Sequence, residues 1–164
     1  MRSTDSYLLG LRDVSEDIDA DLLAAIGGFF GEDFRPVRFL QIRAGSLADR
    51  VALVYSPRAR AFAWGRNVLF PARCDAIWRE PWRRENARTI AHELWHVREL
   101  HEFGLIRWCW LFLSEWRRYG LRGMRLADHE IRAREAAEAF VESAAYQEGR
   151  LRDERRQAGS LPHM

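Results

Sequence analysis

The sequence predicts an α+β fold: a helix, a short strand, a helix and a β-hairpin, followed by three helices. Three observations carry this. β-forming residues gather twice in the first half, over 36–43 and 59–70. Apolar residues recur at helical spacing before, between and after those stretches. The second half carries three successive helical patterns, punctuated by Gly104, Gly120 and Gly149. Helices that follow the strands rather than alternating with them give an α+β layout.

The bulk numbers fit one domain. A chain of 164 residues can bury a substantial core, and 48% hydrophobic residues with seven Trp exclude a wholly disordered chain. All 26 basic residues are Arg, yet the net charge is only +2. The arginines are spread along the chain without a nucleic-acid module around them, so nucleic acid is not an expected partner. Cys74 and Cys109 form neither a spaced metal motif nor a disulfide framework, which predicts a reduced compartment. The first ten residues lack a signal-peptide apolar region, and the run 105–113 is too short to span a bilayer. The expectation is a cytoplasmic protein with no membrane span, with signal-independent export left open.

Taken in order, residues 1–12 carry no periodic signal and are expected to be a loose N-terminus, with the folded domain over 13–149. Asp13 is the expected N-cap of a first helix, in which Ile18, Leu22, Ala25, Ile26 and Phe29 recur and which Gly27-Gly28 stops. Residues 36–43 read as a strand. Ser46 is placed to cap a helix carrying Leu47, Val51 and Val54, ended by Pro57. A hairpin over 59–70 should turn at Gly65-Arg66-Asn67. A loop with Trp78 and Trp82 leads into a helix ending at Gly104, and a second apolar helix over 105–119 stops at Gly120. The spacing of Trp108, Phe112, Trp116 and Tyr119 predicts core packing rather than an exposed docking patch. Asp128 should cap a last helix, to 148, before Gly149 and a frayed Arg-rich tail over 150–164.

Chemistry concentrates in the helix before Gly104. His92-Glu93-Leu94-Trp95-His96 is an H-E-x-x-H string, and residues four apart share a helical face, so two imidazoles there can bind one metal ion. Zinc suits that pair. Glu93 is placed to act on a water rather than to bind the ion. Ile90, Leu94 and Val97 form an apolar stripe opposite the histidines, separating a core side from a metal side. His101 projects away from His92 and is expected to be a core or rim histidine. Glu99 lies one turn past His96 and could either support it or stay in water. His129 and Tyr119 are candidate hydrogen-bond donors to an oxyanion, with nothing in the sequence to choose between them.

With Val37-Arg38-Phe39, the hairpin residues 59–70, Ile90 to Val97 and Asp128-His129-Glu130-Ile131-Arg132-Ala133 laid side by side, the sequence resembles a known family. It is similar to the small gluzincin-type domain of proteins associated with extracellular contractile injection systems, the eCIS core domain, and to its minimal metallopeptidase relatives. Ala63 stands where that pattern usually has Thr, the Gly/Pro cluster after the hairpin is reduced to Pro71, and the Pro before the last stretch is missing. The resemblance implies a minimal zincin, a short strand and a β-hairpin packed on a central H-E-x-x-H helix, with one Zn²⁺ held by His92, His96 and Glu130. It also implies an extended peptide or protein substrate beside an exposed strand, for which Asn67, Val68, Leu69 and Phe70 are the candidates.

Helical phase favours Glu130 over Glu135 as third ligand. Ala133, Ala137, Val141 and Ala144 fall within about 60° of Glu130, whereas Glu135, Glu138 and Glu142 share a polar flank. The reading that follows is a zinc metallopeptidase using a zinc-activated water, with Glu93 as general base. The rival is a metal-binding interaction module associated with an injection or phage-like assembly, with little or no turnover. A zinc hydrolase acting on a non-peptide substrate is a third, weaker reading.

Overall fold

The computed structural model describes residues 10–55, 59–74, 77–123 and 127–159. In chain order the elements are β1 (Leu11–Asp13), α1 (Ala20–Phe30), β2 (Arg38–Ile42), α2 (Leu47–Tyr55), β3 (Phe62–Trp64), β4 (Asn67–Phe70), α3 (Arg84–Gly123, interrupted by non-helical backbone at Gly104 and Gly120, where the sequence predicts helix ends), α4 (Asp128–Glu142) and α5 (Ala144–Gly159). The strands form one mixed sheet in the order β1-β2-β4-β3. β1 is antiparallel to β2, β2 is parallel to β4, and β3 and β4 form the antiparallel hairpin. Gly65, at φ 62°, supplies the left-handed residue that the short hairpin turn requires.

The α+β layout stands, and several boundaries move. The chain pairs earlier than expected: Leu11 and Arg12 are strand residues held by Ile42 and Gln41, not part of a loose terminus. Asp13 does not cap a helix. Its carboxylate instead accepts from the Ser15 backbone and hydroxyl and from Arg38. The cap is Asp19, which accepts the amides of Asp21 and Leu22, and α1 runs through Gly27-Gly28 to a left-handed Gly31. Two glycines cost helix stability but do not end a helix whose Leu22, Ile26 and Phe30 are buried. α2 begins as expected, with the Ser46 hydroxyl accepting the Asp49 amide. Pro57 and residues 1–9 and 160–164 lie outside the described residues.

The core lies between the sheet and the helices. Phe39 and Phe70 stack across the parallel pair, their ring centroids 6.2 Å apart. The first half of α3 fills the space behind them with Ile90, Leu94 and Val97, all fully buried as the stripe predicted. Arg60 donates to the Asn86 side-chain carbonyl at 2.6 Å, and Asn86 donates to the Glu80 carbonyl at 2.9 Å. These two bonds fix the hairpin beside the start of α3.

The expected last helix is two helices. α4 stops at Ser143, whose φ/ψ of −73°/157° is extended, and α5 continues through Gly149 to Gly159. Gly149 is therefore no terminator. A Cβ there would lie 2.0 Å from the Trp82 ring, so glycine is what lets α5 approach the loop before α3. Tyr146 donates to the Trp82 carbonyl at 2.8 Å and Arg156 pairs with Asp21 of α1, so residues 150–159 are docked helix rather than frayed tail.

Candidate metal centre

Two helices build the centre. α3 presents His92 and His96 on the face opposite its buried stripe, and α4 brings Glu130 against them from its first turn. The phase expectation holds within α4, where Ala133, Ala137 and Val141 are fully buried and Glu138 and Glu142 pair with Arg84 on the flank, but not for Ala144, which is exposed because α4 ends at Glu142. Among the described residues, His92, His96 and Glu130 form a group whose ligating atoms lie within 4.8 Å of one another.

The spacing fits a small cation. The two Nε2 atoms are 3.3 Å apart, and Glu130 oxygens lie 3.3 Å from His92 Nε2 and 3.6 Å from His96 Nε2. Tetrahedral ligands about 2.0–2.1 Å from a zinc ion sit about 3.3–3.4 Å apart, so this donor set matches zinc in both chemistry and span. Two nitrogens and one carboxylate leave room for a fourth ligand.

Neighbouring groups orient the set. His96 is buried, and its Nδ1–H donates to Glu99 at 3.2 Å, which points the Nε2 lone pair of the neutral ring at the centre. Glu99 is itself buried and lies 3.4 Å from Arg132, which decides its role: it supports His96 and is not solvated. Burial alone would lower the His96 pKa, but the bond to Glu99 and the nearby charges of Glu130 and Glu93 outweigh it and raise the value. Burial would raise Glu130, but the hydrogen bond from His92 and the charges of His96, His92 and His129 hold it down to about 2.

Glu93 is not among the three convergent ligands. It is buried beside them, burial pushes its carboxyl up, and it accepts the backbone N–H of Ala63 from β3. His129 meets His96 ring to edge at 5.5 Å, and its Nε2 is 3.6 Å from Glu130. Its Nδ1 is engaged by Glu115 from the 105–119 segment of α3. His101 pairs with Glu32 at 3.3 Å, remote from the histidine pair, as a rim residue.

A cleft of about 580 Å³ opens over the three ligands, walled by Phe62 and Ala63 on one side and by Trp108 and Phe112 on another. The substrate-edge expectation is corrected here. β4 is paired on both sides, by β2 and β3, and Val68 and Phe70 are core residues, so Asn67–Phe70 offers no free edge. Among the described residues β1 and β3 are the two edge strands of the sheet; β3 is the one at the cleft, and residues 59–63, not 67–70, line it. Alternation could not reveal this, because which hairpin strand is outermost depends on the parallel pairing of β4 with β2.

The 105–119 expectation is corrected as well. Trp108, Phe112 and Tyr119 are half-buried and Trp116 is exposed, since this stretch covers the cleft instead of entering the core. Sequence reasoning also missed Glu115 and the Ala63 amide, neither of which carries a spacing signal. A family model described as the eCIS core domain matches residues 17–102, just over half of the chain, from before α1 through the histidine pair. No curated protein and no solved structure matches the chain.

Proposed function

The chain belongs to the eCIS core domain family, and on that footing we propose that it is a zinc metallopeptidase hydrolysing peptide bonds in an extended substrate. The observation that carries the reading is the convergence of His92, His96 and Glu130 with zinc-like spacing beside a separate buried carboxylate, Glu93. Zinc held there would act as a Lewis acid, polarising a carbonyl and making a water acidic at neutral pH.

The chain's own residues have distinct parts in this scheme. His92, His96 and Glu130 hold the ion, with His96 oriented by Glu99. Glu93 accepts a proton from the attacking water and delivers it to the leaving amine. The raised pKa that burial gives it suits both halves of that transfer. Among the described residues β3 is the edge strand at the cleft, beside which an extended peptide can add, with its Ala63 amide already donated to Glu93. His129 is buried beside the centre and held at Nδ1 by Glu115; with both ring nitrogens protonated its Nε2–H would donate to a developing oxyanion.

The test is cleavage of a broad peptide library with zinc present and with chelator. Chelator-sensitive cleavage supports the reading, and absence of cleavage by the zinc-loaded protein sinks it. Family membership favours a second reading in that event: a metal-binding interaction module within an injection-type assembly, its zinc serving structure.

A further inference from the structure

Residues 105–119 form the stretch of α3 between two left-handed glycines, Gly104 at φ 74° and Gly120 at φ 66°. Its inner side is occupied, with Trp108 and Phe112 over the cleft and Glu115 on His129. Its outer side carries Leu105, Ile106, Trp110, Leu113 and Trp116, all exposed, with Ile106 88% and Trp110 72% accessible. At about 100° per residue these five fall in an arc of about 140°. A helix apolar on both sides belongs in an interior or at an interface, and an exposed apolar face of this kind marks an interaction site.

Charge selects what covers it. The exposed charged side chains of the stretch are Arg107, Arg117 and Arg118, and its one acid, Glu115, is turned inward. Arg107 and Arg118 border the arc on the Trp110 side. Arg117 falls inside it near the C-terminal end, where its long stem can carry the guanidinium past apolar neighbours. Trp110 stands at one border of the arc and Trp116 near the other, with Ile106 and Leu113 between them. Indole rings at the margins and aliphatic chains at the centre match the depth profile of a bilayer interface, where Trp sits at headgroup level. Arginines without exposed acids among them match acidic headgroups. Among the described residues no helix is long and apolar enough to cross a membrane. We propose that the outer face of residues 105–119 lies on an anionic membrane surface, with its apolar arc in the headgroup–acyl boundary.

Flotation of the full chain with phosphatidylcholine vesicles, with and without phosphatidylserine, tests this. The expected result is binding to the serine-lipid vesicles about tenfold or more above phosphatidylcholine alone, weakened by added salt. Ile106→Ser with Trp110→Ser should reduce that binding about tenfold or more, with an unchanged circular dichroism spectrum. Arg107→Gln with Arg118→Gln should remove the preference for the anionic lipid. Three outcomes would overturn the proposal: no binding to serine-lipid vesicles, equal binding to both compositions, or undiminished binding of the Ile106/Trp110 variant. Self-association that the Ile106/Trp110 variant loses, without vesicle binding, would assign the face to a second copy of the chain. The metal ligands are untouched by these substitutions, so the result is independent of whether the protein hydrolyses peptides.

Discussion

Glu99 carries much of the candidate site's precision although it is not one of the three convergent residues. Its carboxylate fixes the His96 ring, and Arg132 balances a charge that would otherwise be costly at that depth. Glu99→Ala is expected to weaken zinc binding about tenfold or more, read by competition with a chromophoric chelator. Glu130→Ala should weaken it at least about tenfold as well, while Glu135→Ala, on the exposed flank, should leave it nearly unchanged. The reverse order in the same titration would move the third ligand elsewhere on α4. Glu93→Gln keeps the shape and removes the proposed base, so under the proposed function zinc content should persist while peptide cleavage disappears. At this scale the sequence was most legible where spacing alone set the geometry. His92 and His96 are four apart on one helix, and no other element is needed to bring them together. Glu99 was ambiguous because burial, not spacing, decides whether a carboxylate pairs or stays in water.

α5 shows why element boundaries were harder to place than element types. Gly149 looked like a stop signal, but it is the point where the helix backbone passes the Trp82 ring. Gly149→Ala would gain about 1 kcal/mol of helix propensity and lose more to the clash, for a net destabilisation of about 1–3 kcal/mol by urea unfolding. An increase in stability would mean that Trp82 swings aside freely. Asp13 and Asp19 are both acids ahead of an apolar run, and local sequence does not say which one the first strand claims. Asp19→Ala should cost about 0.5–2 kcal/mol, since two amides of α1 lose their acceptor. The hairpin was legible because Gly65 and the flanking β-formers specify it locally, although its first strand starts only at Phe62 and Asn67 belongs to β4 rather than the turn; its place in the sheet was not legible.

For the whole molecule, pH links the site to stability. In the metal-free protein Glu130, held down to about 2, contributes stability above its ordinary 4.5 that is lost as pH falls towards 2. His96, raised above its ordinary 6.5, contributes fully below 6.5 and loses that contribution as pH climbs through the raised value. Zinc held at the proposed site would have to displace the His96 proton, so its affinity should rise with pH across the region above 6.5. The zinc-induced gain in melting temperature should accordingly be larger near about pH 8 than near about pH 6, measured by scanning calorimetry. A gain that does not vary with pH would separate His96 from the ion. By itself the sequence determined the α+β class, the β3–β4 hairpin, the two-sided α3 helix with its histidine pair, and the buried phase of Glu130. Each follows from a local period that the backbone imposes on side chains. Only the tertiary structure decided that β3, not β4, is the outer strand beside Glu93, that α4 and α5 are separate, and that the 105–119 segment roofs the cleft while its other face stays bare. Those outcomes depend on which distant surfaces bury each other, a relation between residues far apart in the chain that no local period encodes.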